Sequence, residues 1–263
     1  MKQLLSIITI CTILFSSCKK DDAPEYNSNV KAELSVEFDN IAGSSDLQLN
    51  TGSYVNAAGE TFSVSKLKYY VSNFVFTRTD GTVYTVPQNE SYFLIDESDD
   101  ATHEPSMYIP EGEYNKVSFI LGVDSLRSTK DISERTGVLD PANTGSDMYW
   151  DQSKGYIFFN IEGNSTASPS AGLFNYHIGG FGGSTIAAIN NIKIITLDLA
   201  ARGIPQVKSG KKTNIHLMAD ILKMFTGTAN VSIASTPSVM FETFSSNIAN
   251  NYCAMFRHDH TEN

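Results

Sequence analysis

Two histidines near the chain's end, His258 and His260 in Arg257-His258-Asp259-His260, are spaced so that they could do chemistry together. Side chains alternate along an extended segment, so both rings would leave one face and could grip one cation, with Asp259 between them. A pair of solvated histidines fits the same spacing. His177 stands in Phe174-Asn175-Tyr176-His177-Ile178-Gly179-Gly180, where Gly179 and Gly180 let the backbone approach a neighbour or a ligand closely. A histidine hydrogen-bonded inside a turn would read alike. His216 shares a strand face with Asn214, Met218 and Asp220 and reads as a solvated face. His103 lies in the acidic run Glu97 to Glu104, which lacks the EF-hand spacing for calcium. Trp150, the only tryptophan, comes at the end of a weakly patterned stretch and just before a strand, as a core anchor or part of a pocket wall.

Familiar catalytic templates fail. There is no GxSxG elbow, P-loop, HExxH or CxxC, so nucleophilic, phosphoryl and standard zinc-hydrolase chemistry have no sequence handle. A pair of glycosidase carboxylates assembled from distant strands would be invisible at this level. The net charge of −10, from 19 basic and 29 acidic side chains, would repel a polyphosphate, which argues against nucleic acid as a partner.

The elements that must position these residues are strands. Of the 263 residues, 41% are hydrophobic and 11% aromatic, enough for a folded core, and 18% charged is too few for a disordered chain. Ala32, Leu34, Val36 and Phe38 alternate with polar residues. Lys68 to Arg78 meets Thr82 to Val86 across Asp80-Gly81, a hairpin signal. Further strands are expected at Tyr92 to Ile95, Tyr114 to Val123, Tyr156 to Ile161, Ile192 to Leu199, Asn214 to Ala219 and Ala229 to Ile233. Thr236 as cap, Pro237 at the first position, and Met240, Phe244, Ile248 and Tyr252 at intervals of four predict a C-terminal helix. Ser125 to Trp150 reads as a long loop. The expected fold is an all-β antiparallel sandwich, immunoglobulin-like or jelly-roll-like, in one domain over 31–263.

The N-terminus reads as an address. The apolar run Leu4 to Phe15 is about twelve residues, short of the ~20 a bilayer span needs. It ends in Leu14-Phe15-Ser16-Ser17-Cys18 before a polar stretch, which resembles a bacterial lipoprotein signal of the looser Bacteroidetes type. That resemblance implies a signal peptide over 1–17, lipidation at Cys18, a tether over 18–30, and anchoring in the envelope, at the outer membrane facing the periplasm or the surface. Cys253 is then the one mature thiol without an intrachain partner.

Several segments in order resemble the MbnP-like family, periplasmic copper-binding proteins associated with methanobactin systems. They are LKYYVSN (67–73), YFLID (92–96), LGVDS (121–125), LDP (139–141), MYW with a following GY (148–156), IEG (161–163), YHIGG (176–180) and NYCAMFRHDH (251–260). The resemblance implies a β-sandwich whose copper site combines histidines with a tryptophan oxidised to kynurenine by a dihaem peroxidase-like partner. Carried over residue by residue, Trp150 matches the modifiable tryptophan and His177 the histidine of the HIGG segment. His258 and His260 match the closing histidine segment. Copper-binding members place a histidine close to the tryptophan; here Asp151, Gln152, Ser153 and Lys154 follow it instead. The expected metal set is therefore Trp150, His177, His258 and His260, shaped by Gly179, Gly180 and Asp124, with Asp124 and Asp140 fixing loops. The expected function is a lipid-anchored envelope protein that binds copper for acquisition or storage without turnover. Its rivals are a surface module for protein or glycan and, further off, a carbohydrate hydrolase.

Overall fold

A computed structural model describes residues 25–142 and 147–263. The expected signal peptide, Cys18 and the first part of the expected tether lie outside the described residues. The described strands run, in chain order, β1 Lys31–Ala42, β2 Ser45–Asp46, β3 Tyr54–Val55, β4 Thr61–Arg78, β5 Val83–Thr85, β6 Tyr92–Asp96, β7 Ser106–Pro110, β8 Gly112–Leu121, β9 Tyr149–Asp151, β10 Gly155–Asn164, β11 Leu173–Gly179, β12 Lys193–Asp198, β13 Gln206–Val207, β14 Thr213–Asp220, β15 Ser238–Val239 and β16 Phe256–Glu262. Two short α-helices, α1 Ser125–Ser128 and α2 Ser245–Tyr252, accompany them.

The strands form the expected all-β sandwich. One sheet has the order β16-β14-β1-β2 with β7 on β1; the larger runs β12-β8-β4-β10-β11-β15 and carries the shorter strands on its flanks. Alternation sets the inward face of β1, where Leu34, Val36 and Phe38 have no exposed surface. Phe38 meets Tyr69 and Phe119 of the larger sheet at 6.2 and 5.6 Å, edge to face, and this layer of rings joins the two sheets. Most pairings are antiparallel, but β1 and β14 run parallel from Leu34↔Thr213 to Ile41↔Asp220. The Asp80-Gly81 turn closes as expected, with the Gly81 amide donating to the Arg78 carbonyl at 3.0 Å and Gly81 at φ +88°.

The described parts of the expected loop, 125–142 and 147–150, are no loose segment. They pack on the outer face of the larger sheet and close a second core around Tyr70, Val123, Leu139, Met148, Tyr156, Phe158 and Phe181. The Tyr70 and Tyr156 hydroxyls donate to the carbonyls of Val138 and Leu139, at 3.0 and 2.5 Å. Arg135, 1% exposed, donates to the carbonyls of Ser128 and Lys130 and lies against the rings of Tyr149 and Tyr156. Asp124 caps α1 by accepting from the Arg127 amide at 2.9 Å, and also accepts from the Tyr92 hydroxyl. These contacts fix the path of the chain into Met148-Tyr149-Trp150.

Three expectations about elements fail. Residues 229–233 form no strand: Val231 and Ile233 are buried, but the Glu60 carboxylate accepts from the amides of Ile233 and Ala234 and no ladder forms. The C-terminal helix begins at Ser245 instead of Pro237, because Ser238–Val239 pairs parallel with the edge of β11 and holds that stretch extended. The terminal histidine segment, expected to present both rings from one face, is β16, laid antiparallel on β14 with a bulge that parts them.

Candidate functional site

Trp150 lies on β9, which pairs with the start of β10. Its ring is half-buried and meets Phe241 edge to face at 5.5 Å. The indole also lies across Gly179. A Cβ built on that glycine would stand 2.8 Å from Trp150 Cζ3 and 2.3 Å from the Tyr156 carbonyl oxygen, so the close approach requires glycine. Gly180 has φ +114° and presses on the Ile189 carbonyl in the same way. On β11, Phe174, Tyr176 and Ile178 are buried in the main core, which turns Asn175, His177 and Gly179 to the opposite face. His177 and the indole over Gly179 therefore share that face.

His177 sits in a strand and not in a turn, opposite Asn160. Its Nε2 stands 2.9 Å from Glu162 Oε1, which Lys66 also reaches at 3.2 Å. Burial works against ionisation of Glu162, but hydrogen bonds from His177 and Lys66 outweigh it and hold the carboxyl below its usual range. Lys68 bridges Asp96 and Asp147 at 3.0 and 3.1 Å. The carboxylates on this face are thus already partnered by ammonium groups. An indole N–H donates only, so unmodified Trp150 has no lone pair for a metal. For copper this face offers one imidazole and one carboxylate; an amine-bearing oxidised ring at position 150 would add a donor.

The terminal histidines stand elsewhere, on the smaller sheet. The expected four-residue set does not share one ion, because β16 pairs with β14 while His177 and Trp150 belong to the larger sheet. Nor do His258 and His260 share a face. A bulge lets Asp259 and His260 together oppose His216, while His258 opposes Leu217. His258 is turned inward, 7% exposed, with Nε2 3.0 Å from Thr261 Oγ1, and burial holds its pKa below the ordinary histidine value. His260 is turned outward. Its Nδ1 lies 3.2 Å from His216 Nδ1 and 3.0 Å from Asp259 Oδ2, and His216 Nδ1 lies 3.6 Å from the same carboxylate oxygen. Among the described residues, His216, Asp259 and His260 are the group of histidine, cysteine and carboxylate side chains close enough together to hold an ion. The sequence reading set His216 aside as part of a solvated face; only the pairing of β14 with β16 brings it beside Asp259 and His260. His103 accompanies the Asp96 carbonyl at 3.1 Å and Glu97 at 3.7 Å.

Comparison with known proteins agrees with this architecture. The MbnP family profile matches residues 31–241. A solved structure, MbnP from Methylosinus trichosporium, superposes with a TM-score of 0.53 at 14% identity, covering 81% of this chain and 82% of that one, a likeness of fold. No curated protein matches the chain. The ordered segments, the two-sheet sandwich and a profile match across most of the described residues lead to one assignment: the chain belongs to the MbnP family, which is associated with copper.

Proposed function

We propose that this protein is a lipid-anchored component of the bacterial envelope that binds a transition metal, copper first, for acquisition or storage and catalyses no reaction of its own. Family membership supports the copper reading. The observation that carries it to particular residues is the seating of the Trp150 indole across Gly179, on the face of β11 that bears His177. Two segments 27 positions apart thus supply an aromatic ring and an imidazole to one surface. His177 would ligate through a ring nitrogen, Glu162 would orient it, and Trp150 would contribute a donor only after oxidation by a dihaem peroxidase-like partner. A kynurenine amine is a neutral nitrogen ligand suited to the same ions as imidazole. Asp124 and Arg135 act at a distance, by fixing the segment that carries Trp150.

The test is metal content and peptide mass of the protein purified from its native host. Retained copper, a Trp150 peptide heavier than its indole form and an acylated Cys18 peptide are the expected results, with His177→Ala losing the metal. An unmodified indole without retained copper would overturn the assignment to this face.

A further inference from the structure

The geometry points to a second, separate metal site on the outer face of the smaller sheet, in which His216, His260 and Asp259 bind one divalent transition-metal ion. His216 Nδ1, His260 Nδ1 and Asp259 Oδ2 lie 3.2, 3.0 and 3.6 Å apart. A circle through these three atoms has a radius of about 1.9 Å, so a point about 0.8 Å off their plane is ~2.05 Å from each, the length of a metal bond to imidazole or carboxylate. By distance, one ion can reach all three atoms.

Hydrogen bonding alone leaves this arrangement short of a proton. If the single N–H on His260 Nδ1 points to Asp259, it cannot also satisfy His216; if His216 donates to His260, Asp259 Oδ2 loses its donor and the carboxylate keeps only Arg257, at 3.1 Å on Oδ1. A cation satisfies all three lone pairs together. The outer nitrogens provide an independent sign. His216 Nε2 faces Asp39 at 3.6 Å and Glu37 at 3.9 Å, and His260 Nε2 faces Glu262 at 3.5 Å. Metal-bound histidines characteristically present their second nitrogen to a carboxylate, which fixes the tautomer and makes the ring a better ligand. Here both do.

The β-bulge at Asp259 builds the site. A regular strand would place His258 and His260 on one face and Asp259 on the other. The extra residue turns His258 into the interior and delivers Asp259 and His260 side by side against His216. His216 is held in the sheet with 14% of its side chain exposed, whereas His260 is 47% exposed, which leaves an entry path and room for water as a further ligand. Two neutral imidazoles and a carboxylate are borderline donors, and the carboxylates behind them favour a dication; copper(II) binds such sets more tightly than nickel(II) or zinc(II).

Untagged, full-length protein made without the dihaem partner, so that the tryptophan face lacks its oxidised donor, is stripped of metal and titrated with copper(II) alone, followed by calorimetry and by electron paramagnetic resonance. One equivalent should bind with coupling to two imidazole nitrogens. His216→Ala and His260→Ala should each weaken binding by more than the ~10- to 100-fold that loss of an outer-shell partner costs, and Asp39→Asn should weaken it within that range. His177→Ala and His258→Ala should leave it unchanged, and an unaltered melting temperature of each metal-free variant shows that the sheet is intact. Binding that survives both His216→Ala and His260→Ala, or no copper(II) binding at all, overturns the site. Loss with His177→Ala alone would return the ion to the tryptophan face, so failure here and failure there are separate results.

Discussion

Gly179→Ala puts the placement of Trp150 to a quantitative test. The new methyl would stand 2.3 Å from the Tyr156 carbonyl oxygen, which belongs to the paired strand β10, and 2.8 Å from Cζ3 of an indole wedged against Phe241. Neither neighbour can rotate aside cheaply, so the cost belongs at the upper end of overpacking, about 3 kcal/mol. In a chain of this size each kcal/mol lowers the melting temperature by roughly 2–4 °C, giving a fall of about 6–12 °C. Gly210→Ala is the control: its φ of +81° imposes a left-handed backbone, but nothing lies within 4 Å of the added carbon. It should lose only about 1 kcal/mol. Trp150 is the only tryptophan, so its fluorescence reports the same event locally: Gly179→Ala should shift the native emission, and Gly210→Ala should not. Equal melting temperatures and equal emission in the two variants would refute the seating of the indole on Gly179, and with it the shared face with His177.

Arg135→Met should loosen the segment ahead of Trp150. It strips the carbonyls of Ser128 and Lys130 of a buried charged donor, at a cost of roughly 3 kcal/mol or more, and limited proteolysis should then cut within 125–150 before the sheets unfold. Cleavage sites identical to the parent's would contradict the packing of 125–142 and 147–150 on the larger sheet. A pH effect is expected at Glu97, whose carboxyl burial raises to about 7 against the opposing hydrogen bond from Asn40. Its folded pKa exceeds its unfolded value, so the folded state binds the extra proton, and stability should fall as pH rises from about 4.5 to about 7. Glu97→Gln should flatten that part of the denaturation profile measured in urea; an unchanged slope would assign it to other groups.

How much of this was legible in the sequence follows from which signals are local. The alternation at 32–38 and the Asp80-Gly81 turn each report a backbone choice made within a few residues, and both appear in the structure. The same alternation at 229–233 reported burial correctly for Val231 and Ile233 but not a ladder, since the pattern records which side faces the core and not what satisfies the amides. Intervals of four from Met240 to Tyr252 predicted a helix too long at its start. Only the free edge of β11 decided that Ser238 and Val239 stay extended.

The chain alone determined an all-β body and family membership and supplied candidate ligands, because composition, period and ordered motifs are written in the covalent sequence. Which of those residues meet was decided by tertiary structure. A single extra residue in β16 separated His258 from His260, and a parallel pairing between β1 and β14 placed Asp39 behind His216. Register and bulges arise from contacts between strands far apart in the chain, 44 residues for His216 and His260 and 179 for Leu34 and Thr213, and no local pattern carries that information.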